Sequence, residues 1–131
     1  MSFDIFLQAF EHENARDADA EQILGILRPF FAVEPQNGYV LVKTLDGEAD
    51  IYGIHEALRG LMVNHASGRA IWDLLVEIAS KSSMAIIPVG RPACVTSRET
   101  LEHLPEDLRA SAQIVATGAE LLAVINGTPA S

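Results

Sequence analysis

The chain has 131 residues, 49% of them hydrophobic, and carries 9 Lys+Arg against 18 Asp+Glu for a formal net charge of −9 at pH 7. That length suits one domain, and the apolar fraction can fill its core. The charge argues against nucleic acid, whose phosphates are held by Lys and Arg; it would steer a basic partner, although such acidity more often serves solubility alone.

Cys94 is the only cysteine, so no internal disulfide and no cysteine-based zinc site can form. The start, "MSFDIFLQAFEHE", lacks the basic residues and cleavage site of a signal peptide. No apolar run approaches the ~20 residues that span a bilayer. A soluble, cytoplasmic protein with no membrane role is expected.

In chain order, "SFDIFLQAF" alternates Phe3, Ile5, Leu7 and Ala9 against polar positions, the mark of a strand. Phe6 and Phe10 make its second face apolar too, which predicts a central strand. "EHENARDADAE" reads as an acidic loop, and Asp19 with Gln22 caps a helix over about 19 to 28 whose stripe is Ile23, Leu24 and Leu27. "YVLVKTL" and "EADIYGI" flank Asp46-Gly47, a pair that accepts the positive φ values of a type I′ turn, so a hairpin follows. "GLMVNH" adds a strand. Ser67 then caps a helix from Ser67 to about Ser80 carrying Ile71, Trp72, Leu75 and Ile78. "MAIIPVG" is a strand ended by Pro88. Thr96 with Glu99 and Thr117 with Glu120 are capping boxes, Pro105 restarts a helical turn at "PEDLRA", "AQIVAT" is a strand, and Asn126-Gly127 stops the last helix.

The order predicts an α/β (α+β) domain over 1–127: a mixed five- or six-stranded sheet with packed helices on an elaborated ferredoxin-like βαββαβ plan. Residues 128–131 are expected to fray.

Three sets of residues are candidates for function. Asn64, His65, Ser67 and Arg69 follow a strand and open a helix, where free N–H groups suit an anion or small molecule. Against this, Ser67 and Gly68 are ordinary helix-start punctuation. Cys94, near Arg91 and a helix start, is the weak candidate for a catalytic nucleophile, and a lone cysteine is more often buried filler. Glu11, Glu13 and Asp17 crowd one acidic segment, while Asp50 and Tyr52 share one face of their strand. These five form the candidate surface for a basic protein partner. The four histidines have no HxH, HxxH or HExxH spacing, so no metal and no cofactor are expected.

"FDIFLQAF", "EADIYG", "GLMVNHASGRAIWDLLVEIA" and "VATGAELL" together resemble a group of small acidic bacterial α/β proteins. The resemblance implies no activity and transfers no functional residue. By analogy of size and acidity, such proteins match the immunity proteins of bacterial toxin systems. The leading expectation is a protein-interaction module, the alternative an anion or small-molecule binder at 64–69, and an enzyme comes last. Phe6, Phe10, Tyr39 and Leu41 exceed what three helices can cover, so a homodimer is also expected to be tested.

Overall fold

The computed structural model describes residues 4–55 and 58–127; the tail at 128–131 lies outside them. Its elements are β1 (Ile5–Glu11), β2 (Asn14–Arg16), α1 (Ala20–Leu27), β3 (Tyr39–Lys43), β4 (Glu48–Tyr52), β5 (Leu61–Asn64), α2 (Ala70–Ser82), β6 (Met84–Pro88), β7 (Cys94–Val95), α3 (Arg98–Glu102), α4 (Glu106–Arg109), β8 (Gln113–Ile114) and α5 (Gly118–Ile125).

The strands form one mixed sheet in the order β3-β4-β5-β1-β6-β7-β8, with β2 paired to the end of β1. Within it, β1-α1-β4-β5-α2-β6 in the order β4-β5-β1-β6 is the ferredoxin-like βαββαβ plan. β3 extends one edge, and β7 with β8 extends the other. The sheet has eight strands rather than five or six. The extra two are β7, only two residues long, and β2. β2 occupies the segment read as an acidic loop: its alternation is too short and too polar to register in sequence, and only pairing with β1 makes it a strand.

Alternation sends Ile5, Leu7, Ala9, Val40, Val42, Ala49, Ile51, Leu61 and Val63 to one face, where all are buried. On that face α2 lies against α1, α5 and β6. It contributes Ile71, Leu75 and Ile78, each at 0% exposure. Burying such a side chain is worth about 1.5–3 kcal/mol. The second face is covered only toward one edge, where Leu104 is buried and Leu101 and Leu108 pack with Phe10, Ala85 and Ile87.

Helix starts follow the expected chemistry with two corrections. Asp19 accepts from the Gln22 N–H and Thr117 from the Glu120 N–H, as expected. The cap of α3 is Ser97, which accepts from the Thr100 N–H, rather than Thr96. Ser67 does not cap α2; its hydroxyl oxygen takes the Glu48 N–H at 3.1 Å. The cap comes from the hairpin turn: Asp46 accepts from the N–H groups of Arg69 (2.8 Å) and Ala70 (3.2 Å).

Candidate functional site

The half of the sheet that α3 and α4 leave uncovered is the most distinctive surface. Cross-strand register aligns Tyr39 with Tyr52, Tyr52 with Met62, Met62 with Phe6, and Phe6 with Ile87. One apolar row therefore crosses five strands, β3-β4-β5-β1-β6, on the side away from the core. Phe6 and Tyr52 stay 40% and 37% exposed within it. Tyr39 and Tyr52 stack with ring centroids 4.9 Å apart, a contact that holds both rings in place. A shallow groove of about 360 Å³ runs beside the row, lined by Phe6, Gln8, Tyr52, Gly53, Gly60 and Met62. Gly53 has φ +100, and a Cβ there would overlap the Gly60 carbonyl; only glycine lets the two segments pass so closely.

One row further along, Asp50 collects two partners. The Tyr39 hydroxyl donates to its Oδ1 at 2.6 Å, and His65 Nδ1 meets its Oδ2 at 2.8 Å. The Tyr39 bond, helped by His65, holds the Asp50 carboxyl below the usual range. The same bond pushes the Tyr39 phenol up to about 12. An ionised carboxylate can only accept, so His65 carries its proton on Nδ1 and turns Nε2 outward as an acceptor while the ring is neutral. His65 holds φ 54, a left-handed value, and its side chain is 66% exposed. Asn64 lies opposite Asp50 in register, and its buried Oδ1 has no hydrogen-bond partner among the described residues.

The residues proposed from sequence are thus redistributed. Asp50 and Tyr52 come together with Asn64 and His65 on the open face. Ser67 and Arg69 instead belong to a clasp between the 44–47 turn and the start of α2. The amino-terminal N–H groups offered to an anion at Arg69 are already taken by the Asp46 carboxylate. Those bonds also hold the Asp46 carboxyl low. Glu11, Glu13 and Asp17 lie on or beside the β1–β2 ribbon, all exposed. Cys94 is fully buried, and burial pushes its thiol up to about 11, the reverse of what a nucleophile requires.

Tyr39 is the member that sequence reading missed as a polar partner. The signal was present: with the hairpin register known, Tyr39 is the same-face diagonal neighbour of Asp50, within reach of a long side chain. Among the described residues no three His, Cys, Asp or Glu side chains gather as a metal set, and no helix is long and apolar enough to cross a membrane.

No protein-family model, curated protein or solved structure matches this chain.

Proposed function

We propose that the protein is an interaction module that docks a basic, apolar segment of a protein partner on the open sheet face. The observation that carries this reading is the unbroken row Tyr39-Tyr52-Met62-Phe6-Ile87, whose Tyr52–Phe6 centre no helix covers among the described residues. An exposed apolar patch rimmed by polar groups is characteristic of binding surfaces. Its flank is acidic: Glu48 and the ionised Asp50 point outward from β4 beside a single lysine, Lys43 of β3. A second copy of the chain would bring another −9 against this one, whereas a cationic segment gains from the same field. Asp50 and His65 would then meet partner side chains beside the apolar row, and the aromatic rings would supply the buried anchors.

The test is an NMR titration of the ¹⁵N-labelled protein with a synthetic peptide alternating lysine and leucine, and with its glutamate–leucine counterpart. The reading expects shifts centred on Phe6, Tyr52 and Met62 for the lysine peptide alone, weakened by Phe6→Ser and by Tyr52→Ser. Shifts spread evenly over the acidic surface, unaffected by either variant, would overturn it. Light scattering that shows a dimer abolished by Phe6→Glu would assign the face to a second copy instead.

A further inference from the structure

We propose a second site: a polar pocket at the β1–β2 turn that binds a small zwitterion of the free α-amino-acid type. The pocket, of about 420 Å³, is lined by Phe10, Glu11, Arg16, Ser83, Glu99, Thr100 and His103. That volume falls in the range of small-molecule clefts. It lies at the β2 end of β1, where Phe10 stands four residues along the strand from Phe6, and the proposal stands independently of the docking reading.

Its charges are unspent. Arg16 donates to the carbonyls of Asp17 (3.1 Å) and Ser82 (3.3 Å). Among the described residues neither Arg16, Glu11 nor Glu99 has an ion-pair partner. In a chain with twice as many acids as bases, a guanidinium that meets only carbonyls is a conspicuous vacancy for a carboxylate, which its planar fork binds in two-pronged fashion. His103 adds a donor. Its Nδ1 accepts from the His12 N–H at 3.1 Å, so the neutral ring carries its proton on Nε2. Thr100 is buried, and its Oγ1 already accepts from Ser97 at 3.0 Å, which leaves its own proton to donate.

The backbone around the pocket is strained. Beside Glu11, His12 (φ 48) and Glu13 (φ 70) are both left-handed, whereas Ser83 (φ 53) is the ordinary left-handed cap that ends α2. His12 and Glu13 are held there by His103, whose carbonyl takes the Glu13 N–H at 3.0 Å. Strained, over-determined backbone of this kind gathers at ligand sites.

The mixture of signs selects the ligand. A simple anion meets two carboxylates, and a simple cation meets Arg16; a zwitterion satisfies both. Pairing of Ala9 with Arg16 and Glu11 with Asn14 makes Glu11 and Arg16 diagonal neighbours on one side of the ribbon, about 7–8 Å apart at the backbone. That side is the Ala9 face, and Phe10, Glu99, Thr100 and His103 close the pocket from the α3 side, so a ligand with an ammonium and a carboxylate on one carbon can set the first against Glu11 and the second against Arg16, with the α3-side groups completing the lining.

The experiment titrates the ¹⁵N-labelled protein with L-alanine, N-acetyl-alanine, which lacks the ammonium, and alaninamide, which lacks the carboxylate. The expected result is saturable shifts at Glu11, Arg16, Thr100 and His103 for alanine, with each half-ligand about tenfold weaker, as loss of one hydrogen bond to a charged group implies. Glu99→Gln, on an exposed residue, should weaken alanine about tenfold without touching the fold, and Arg16→Gln should do so at least as strongly. N-acetyl-alanine or alaninamide binding as well as alanine, wild-type binding by Glu99→Gln, or no shift at tens of millimolar alanine would each overturn the proposal.

Discussion

His12–Glu13 turns β1 into β2 with both residues left-handed, at φ 48 and 70, although neither is glycine; Asp46–Gly47, the pair suited to such values, adopts them at neither position. The difference lies in what each turn touches. The 44–47 loop spans four residues between the last pair, Lys43 and Glu48, and closes with the Thr44 N–H on the Gly47 carbonyl at 2.9 Å. Its Asp46 carboxylate is committed to the α2 N–H groups, and Gly47 is needed because a Cβ would overlap the Ser67 carbonyl. Gly68, at φ +84, faces Asp46 in the same way. The two-residue turn at 12–13 is docked through its backbone instead of through a side chain. It accepts the cost of left-handed backbone, and His103 ties down both of its N–H groups. Turn-forming residues therefore mark where a chain reverses, while tertiary contacts decide which conformation the reversal takes.

The largest expected effect that bears on this contrast is at the clasp. Gly47→Ala should destabilise the fold by about 2–3 kcal/mol in urea denaturation, as for overpacking against fixed backbone. A loss under about 0.5 kcal/mol, the scale of an ordinary surface substitution, would show that the turn can lift off α2. Next comes acid. The Asp46 carboxyl is held low in the folded state by the Arg69 and Ala70 N–H groups. Its stabilisation is thus complete above the ordinary carboxylate value near ~3.9 and is lost as pH falls through the lowered one. Asp46→Asn should reduce stability at neutral pH and flatten that acid limb in pH-dependent thermal melts; an unchanged limb would remove Asp46 from the clasp.

The knot's other end predicts an alkaline signature. Tyr39 ionises at about 12 because its hydroxyl donates to Asp50. A phenol raised by folding adds stability that is fully present below the unfolded value near ~10 and fades as pH rises from there through the folded one. Tyrosinate absorbance should show one tyrosine titrating near 12, and Asp50→Asn should bring that step down; a step that stays in place would mean Asp50 does not hold the phenol. The smallest effect has the opposite sign. Glu13→Gly relieves a left-handed residue and should raise stability by up to about 1 kcal/mol. A loss instead would mean that the Glu13 side chain makes a contact outweighing the strain.

Much of the fold was legible from local signals. Alternation in "FDIFLQAF" marked β1 as a two-faced central strand, and the helical stripes at Ile23–Leu27 and Ile71–Ile78 marked the layer above it. The paired turns and caps then led to the ferredoxin-like plan. Less of the site was legible. Asp50 and Tyr52 could be assigned to one strand face and Asn64 and His65 to a strand end, but their meeting required the register of β4 with β5. The polar run at 64–69, suggestive of a ligand loop in sequence, turned out to be shared between two structures. Its first half faces Asp50, and its second half receives the hairpin turn.

The division between what is local and what is tertiary has a physical basis. Periodicity, capping chemistry and net charge act within a few residues or over the whole surface, so the sequence alone determined most element types, the buried face and the acidic character, while the strand order and the short strands β2 and β7 came from pairing. Three outcomes depended on groups far apart in the chain. Asp46 serves the N–H groups of a helix start 23 and 24 residues later, His103 holds a turn 91 residues earlier, and the cover given by α3 and α4 stops short of Phe6 and Tyr52. A carboxylate, an imidazole and an aromatic ring have the same propensities wherever they stand. Only the packed sheet decides which donor each one meets and which apolar row is left facing water.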